Sequence, residues 1–179
     1  MVHQVVARYQ GRSFAMSGYL LGRNDGSVRV SASLPMGPKI FDVAKLSGRW
    51  ETRTFVAEAA NVDPVEVGHS VERIYFTDAR SAPEFLSGAW VFRRTLEEPD
   101  VDSLEVWRRP EDLSVTKKRF LRRGELVLEI TYDRQEQMQG QVVARHVLAT
   151  DVRGFTLELV VTGYEPGLPI PDDLLRLAP

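Results

Sequence analysis

The 179-residue sequence contains no cysteine. That excludes a disulfide framework, a zinc–thiolate centre and a thiol nucleophile. Histidine is nearly as scarce. The three present, His3, His69 and His146, lie far apart and share no ligand spacing. No glycine-rich phosphate loop, His-Glu-x-x-His run, Gly-x-Ser-x-Gly elbow or EF-hand loop occurs. No apolar run approaches the roughly 18 residues that a spanning helix needs. Charge of one sign is not in excess either. With 23 Lys and Arg against 25 Asp and Glu, the formal net charge is -2, which gives no global pull toward nucleic acid or an anionic membrane. The expectation is a protein that is not an enzyme, holds no metal or other cofactor, and does not bind nucleic acid.

What is present is ordinary in amount, with 43% hydrophobic and 27% charged residues, as in a single globular domain spanning residues 1–179. Its arrangement is informative. Val28, Val30, Ala32 and Leu34 alternate with Arg29, Ser31 and Ser33, the period-two pattern of a half-buried strand. Asn24-Asp25-Gly26 before it and Pro35-Met36-Gly37-Pro38 after it are turns. Strands are expected at Val5–Tyr9, Ser13–Leu21, Lys39–Lys45 and Arg49–Val56. More are expected at Ala89–Thr95, Leu104–Arg108, Ser114–Leu121, Leu126–Tyr132, Val142–Ala149 and Phe155–Thr162. Loops are expected over Leu96–Asp102 and Gln135–Gln141, and a short helical turn over Ala82–Leu86. One segment changes period. Asp63 is a good N-cap and Pro64 suits the first helical position. Val67, Val71, Ile74 and Tyr75 then form one apolar stripe of a helix over Pro64–Phe76. A tail rich in proline ends near Asp172–Leu177, where a last helical turn fits.

About ten strands with one central helix make a mainly β fold. A sheet of that size must curl, close or split, and one helix cannot cover both faces. The expected architecture is a strongly curved antiparallel sheet, an incomplete β-barrel with the helix as lid or plug. Its concave face would carry Val28, Val30, Ala32, Leu34, Phe41, Val43, Trp50, Leu126, Leu128, Ile130, Phe155, Leu157 and Leu159. Such a face is either a filled core or an apolar ligand cavity.

Three features stand apart from the core. Met36 sits at a turn tip, where residues are normally polar. It either tucks back onto the sheet edge or probes an apolar surface such as a membrane. Arg108-Arg109, Lys117-Lys118-Arg119 and Arg122-Arg123 are the basic concentration. They read as one solvated face of a hairpin or as a patch for phosphate or lipid headgroups. Of the histidines, His3 reads as a loose terminus, His69 as a surface residue and His146 as a satisfied core or rim residue. The carboxylate pairs Glu97-Glu98 and Asp172-Asp173 read as solvated loop charge.

One resemblance goes further. Tyr9-Gln10-Gly11-Arg12-Ser13-Phe14, Ser27–Leu34, the Pro35-Met36-Gly37 turn, Ile40-Phe41-Asp42-Val43 and Gly48 resemble the LolA/LolB-like lipoprotein-localisation family, and within it the LolB-like outer-membrane lipoproteins. Leu128–Tyr132, Val142–Leu148 and Phe155–Leu159 are similar in order to that family's last strands. The family has Leu where Met36 stands, protruding toward the membrane. It has a tryptophan near its last strand, where the nearest aromatic here is Tyr164. The resemblance implies a periplasm-facing, outer-membrane-anchored monomer that binds acyl chains or lipoproteins and delivers them. Pro35, Met36 and Gly37 would form the membrane-contact loop, and Val67, Val71, Ile74 and Tyr75 the lid. It also implies a lipid anchor on a cysteine ahead of Met1. The alternative is a lipocalin-like or structural β-domain of an envelope complex, with a filled core.

Overall fold

The computed structural model describes residues 1–9, 11–56 and 63–177. Gln10 of the resembling run and Asn61 and Val62 ahead of the helix lie outside them. Among the described residues twelve strands, numbered β1 to β12 in chain order with their ranges given below, form an open antiparallel sheet in the order β5-β4-β3-β2-β1-β12-β11-β10-β9-β8-β7-β6. Every neighbour pair is consecutive in sequence except β1 beside β12. This is the meander that successive turn-bounded segments specify. The helical part is small, as expected of a mainly β chain. The backbone contacts divide the chain into two compact units, Met1–Val6 with Phe14–Phe76 and Val160–Pro179, and Ala7–Ser13 with Thr77–Leu159.

In the first unit the strands are β1 (Val2–Tyr9, in part), β2 (Arg12–Gly22), β3 (Val28–Ser33), β4 (Lys39–Leu46) and β5 (Arg49–Thr54). Pairing of Val30 with Leu20 and Val43, and of Ala32 with Gly18 and Phe41, puts the alternating aliphatics on one face. α1 spans Pro64–Val71 and runs on as a π-helical turn, Glu72–Phe76. Its start is built as the sequence predicts. Asp63 accepts from the Val65 N–H at 2.9 Å, and Pro64 costs no hydrogen bond there.

β4 is buried on both faces, which simple alternation does not predict. Its second face lies under the C-terminal segment. There α2 (Asp172–Leu175) inserts a fully buried Leu175. Arg29 donates to the carbonyls of Leu174 and Arg176 at 3.0 and 3.1 Å. Asp42 sits buried between Ser31, Arg29 and Lys39, which all donate to it. Burial alone would raise the Asp42 carboxyl, but these three donors outweigh it and lower its pKa.

In the second unit the strands are β6 (Glu84–Leu86), β7 (Ala89–Glu98), β8 (Val101–Arg108), β9 (Val115–Arg122), β10 (Glu125–Met138), β11 (Gln141–Asp151) and most of β12 (Thr156–Gly163). Three local expectations are corrected here. Leu96–Asp102 is strand broken only at Pro99-Asp100, because Leu96 and Val101 are buried. Gln135–Met138 continues β10, paired with β11 down to Met138 opposite Gln141. Its residues are exposed or half-buried on both sides, with Gln135 Nε2 donating to the Val115 carbonyl at 2.7 Å, so no hydrophobic alternation marks it. Ala82–Leu86 is not helical. Glu84–Leu86 pairs with β7, and Phe85 stacks edge-on against Trp90.

Candidate functional site

In the first unit the structure gathers Val28, Val30, Ala32, Phe41 and Val43 into one buried cluster with Leu20, Ile40 and Val71. Leu34, Trp50, Val67 and Tyr75 pack against it, and Ile74 is almost fully buried. Every expected member of this half of the apolar face therefore meets Val67, Val71 and Tyr75 of the lid stripe, whose fourth residue, Ile74, is also buried.

The helix is seated by close fits at both ends. A Cβ on Gly68 would stand 2.5 Å from two carbons of the Trp50 ring, and one on Gly22 would stand 2.4 Å from the Phe76 ring. Gly68 is thus a contact point, although from sequence it reads only as a weak spot in the helix. Polar links hold the same segment. Lys45 reaches Glu72 at 2.6 Å, and His3 Nε2 and the Tyr75 hydroxyl are 2.7 Å apart. His3 is no loose terminus; it is 4% exposed, because β1 is paired from Val2 onward. Burial, with the N-terminal ammonium adding to it, pushes the His3 imidazole down to about 4. Burial also raises the Tyr75 phenol. The pair is neutral at pH 7.

The Pro35-Met36-Gly37 turn is directed outward. Met36 is 108% exposed, while Leu34 packs against the core. The Met36 and Gly37 N–H groups both donate to the Leu34 carbonyl, at 2.9 and 3.1 Å. Met36 is therefore not tucked back onto the sheet edge.

In the second unit Ile130 and Leu159 are buried, and Leu128, Phe155 and Leu157 are half-buried. Leu126 does not join them. Leu126 pairs with Leu121 whereas Leu128 pairs with Phe120, so a bulge at Val127 turns Leu126 to the opposite face. There it lines a surface cleft of about 550 Å³ with Arg122, Arg123 and Val152. Sequence reading missed Leu104, Val106 and Phe120, all fully buried on the face of Ile130. Leu104 and Val106 alternate across β8, but the basic residues around Phe120 masked the signal in β9.

No family model matches the sequence, and no curated protein does. Solved structures do match. A domain from Vibrio parahaemolyticus, provisionally described as an outer membrane lipoprotein-sorting protein, is 13% identical with a TM-score of 0.57, covering 97% of this chain and 87% of its own. A LolA superfamily protein from Nitrosomonas europaea is 11% identical with a TM-score of 0.66, covering 98% and 88%. The chain has a LolA-like fold. A DUF1329 family protein from Desulfovibrio piger shares it, at 14% identity, TM-score 0.62 and coverage of 98% and 91%.

On this LolA-like sheet the basic run divides by strand parity. Arg119 belongs to a cross-strand ladder with Glu105 and Glu129, at 3.9 and 3.3 Å, and Arg93 extends the ladder to Glu105 and Glu84. Lys117 lies 4.3 Å from the Trp107 ring centroid. Lys118 and Arg108 point to the other face. Of the remaining histidines, His146 reaches Glu158 at 3.0 Å and His69 meets the Trp50 ring edge-on. Among the described residues no group of three His, Asp or Glu is placed to hold a metal ion. No helix among them is long and apolar enough to cross a membrane.

Proposed function

We propose that this is a non-enzymatic, periplasm-facing lipoprotein domain that binds acyl chains or lipoproteins for localisation at the outer membrane. The observation that carries the reading is the way the apolar face of the first unit is closed. It is covered by one short helix, whose seating includes two glycine contacts, an ion pair and a neutral hydrogen bond. The surface beneath this cover is aliphatic and aromatic. Burying acyl methylenes there is worth about 0.8 kcal/mol each. Val28, Val30, Ala32, Leu34, Phe41, Val43 and Trp50 would receive the chain, and Leu128, Ile130, Phe155, Leu157 and Leu159 would do so in the second unit. The protruding Met36 supports contact with a bilayer. The LolA-like fold, shared with a domain described as lipoprotein-sorting, favours the same reading. An N-terminal lipid anchor and a periplasmic location complete it.

The test is displacement of a neutral fluorescent probe, N-phenyl-1-naphthylamine, from delipidated protein by dodecanol or a diacyl lipopeptide. Uptake and displacement are expected, and Met36→Glu should abolish transfer to vesicles while leaving the melting temperature unchanged. Absence of any hydrophobic binding would overturn the reading. It would favour a structural envelope domain with a filled core, for which the burial of Val28, Phe41 and Val43 speaks. Native mass spectrometry separates the two by whether lipid co-purifies.

A further inference from the structure

One residue of the basic run lies inside the second unit. Lys118 is 4% exposed, opposite Val106 on β8 and Ile130 on β10, both fully buried. Its ammonium lies 5.6 Å from the Tyr132 ring centroid. Arg108, two residues beyond Val106 on β8, stacks over Phe92 at 5.6 Å. Its Nη2 donates to both carboxylate oxygens of Asp78, at 2.8 and 2.9 Å. Asp78 also attracts Lys118 electrostatically. Burial pushes the Lys118 ammonium down to about 7; Asp78 opposes that shift and Arg108 adds to it.

A core that only had to be filled would place methionine or leucine at position 118, since a buried ammonium carries a heavy desolvation cost. Arg108 and Lys118 on the inner side, with the exposed Arg80 at 4.0 Å on the outer side, set cations around one carboxylate at the edge of an aliphatic face, the arrangement of an acid-recognition site. The acid now in it is supplied by the chain itself, from the segment that directly follows the helical cover. Asp78 is two residues beyond Phe76.

We propose that Lys118 and Arg108 form the headgroup site of the second unit's own apolar face, taking the acidic group of a bound amphiphile, carboxylate or phosphate, in the place that Asp78 occupies. The exchange is carboxylate for acid, so no charge is left uncompensated. This rests on the acyl-binding reading and names its ligand as an anionic amphiphile.

The experiment compares three competitors with the same tail against N-phenyl-1-naphthylamine at pH 6.5. They are dodecanol, dodecanoate and dodecyl phosphate. Both acids are expected to displace the probe at about tenfold lower concentration than dodecanol, the ratio that one charge-assisted contact supports. Whichever acid is stronger identifies the headgroup. Lys118→Met, a volume-matched change that spares the core, should bring the ratio toward one. Asp78→Asn, which keeps the shape but removes the competing charge, should raise it. Equal displacement by alcohol and acids, or an undiminished ratio in Lys118→Met, would overturn the headgroup site while leaving acyl binding intact. No displacement by any of the three would overturn the acyl-binding reading and this site with it.

Discussion

Replacing Gly68 by alanine sets two effects of known sign against each other. In an isolated helix the change is favourable by about 1 kcal/mol. Here the added Cβ would lie 2.5 Å from Cη2 and Cζ3 of Trp50 and 3.2 Å from Cε3, about 1 Å inside ordinary carbon contact. The indole cannot easily turn away, because His69 meets it at 5.3 Å and the Lys45 ammonium lies 5.3 Å from its centroid. Overpacking of this kind costs roughly 1–3 kcal/mol. The net expectation is a loss of up to about 2 kcal/mol, relieved most readily by the helix backing off the sheet. Trp50 emission, read in a Trp90→Phe, Trp107→Phe background, should shift to the red. Uptake of N-phenyl-1-naphthylamine should rise, which a plain cavity mutant such as Val43→Ala would not reproduce. A Gly68→Ala protein that gains the full propensity benefit with unchanged emission and uptake would refute the seating of the helix on Trp50.

Three further outcomes follow from the buried charges. His3 has its pKa lowered from 6.5 to about 4, so between those values the unfolded chain holds a proton that the folded one refuses. Stability should therefore fall by about 3 kcal/mol as pH drops from 6.5 to 4, and His3→Phe should flatten that limb of the melting-temperature profile. Lys118, lowered from 10.5 to about 7, also binds its proton more weakly when folded. Stability should climb as pH rises from 7 toward 10, so Lys118→Met should stabilise most below pH 7, by an amount on the order of 5 kcal/mol that fades by pH 10. Asp42→Asn weakens the hold of Arg29 and Lys39, and limited proteolysis should then release the segment after Pro169 faster than in the parent chain.

The architecture was legible where one strand face is wet and the other dry. Val28, Val30 and Ala32 announce β3, and Asp63-Pro64 announces the helix, because each local choice agrees with its setting. It was illegible where both faces are alike. The second side of β4 is buried by a tail that no periodicity announces, and Gln135–Met138 has no fully buried residue on either side. The first half of the candidate site was readable as the apolar parity of consecutive hairpins. The acid-binding cluster was not. Arg108 and Lys118 sit in a run that reads as surface charge, and only the pairing of Lys118 with Val106 and Ile130 separates them from it.

That pairing also limits how the gene for this chain can change. β9 places Lys117 on the Trp107 ring, Lys118 in the interior and Arg119 in an ion-pair ladder, three destinations in three consecutive positions. Inserting or deleting one residue there would drive Arg119 inward and put Phe120 into water, whereas the exposed Gln139-Gly140 tip of the next hairpin could lengthen freely. Among natural variants, length differences should therefore collect at the tip beyond Met138 and be absent from Val115 to Arg122, even where the residues themselves have diverged.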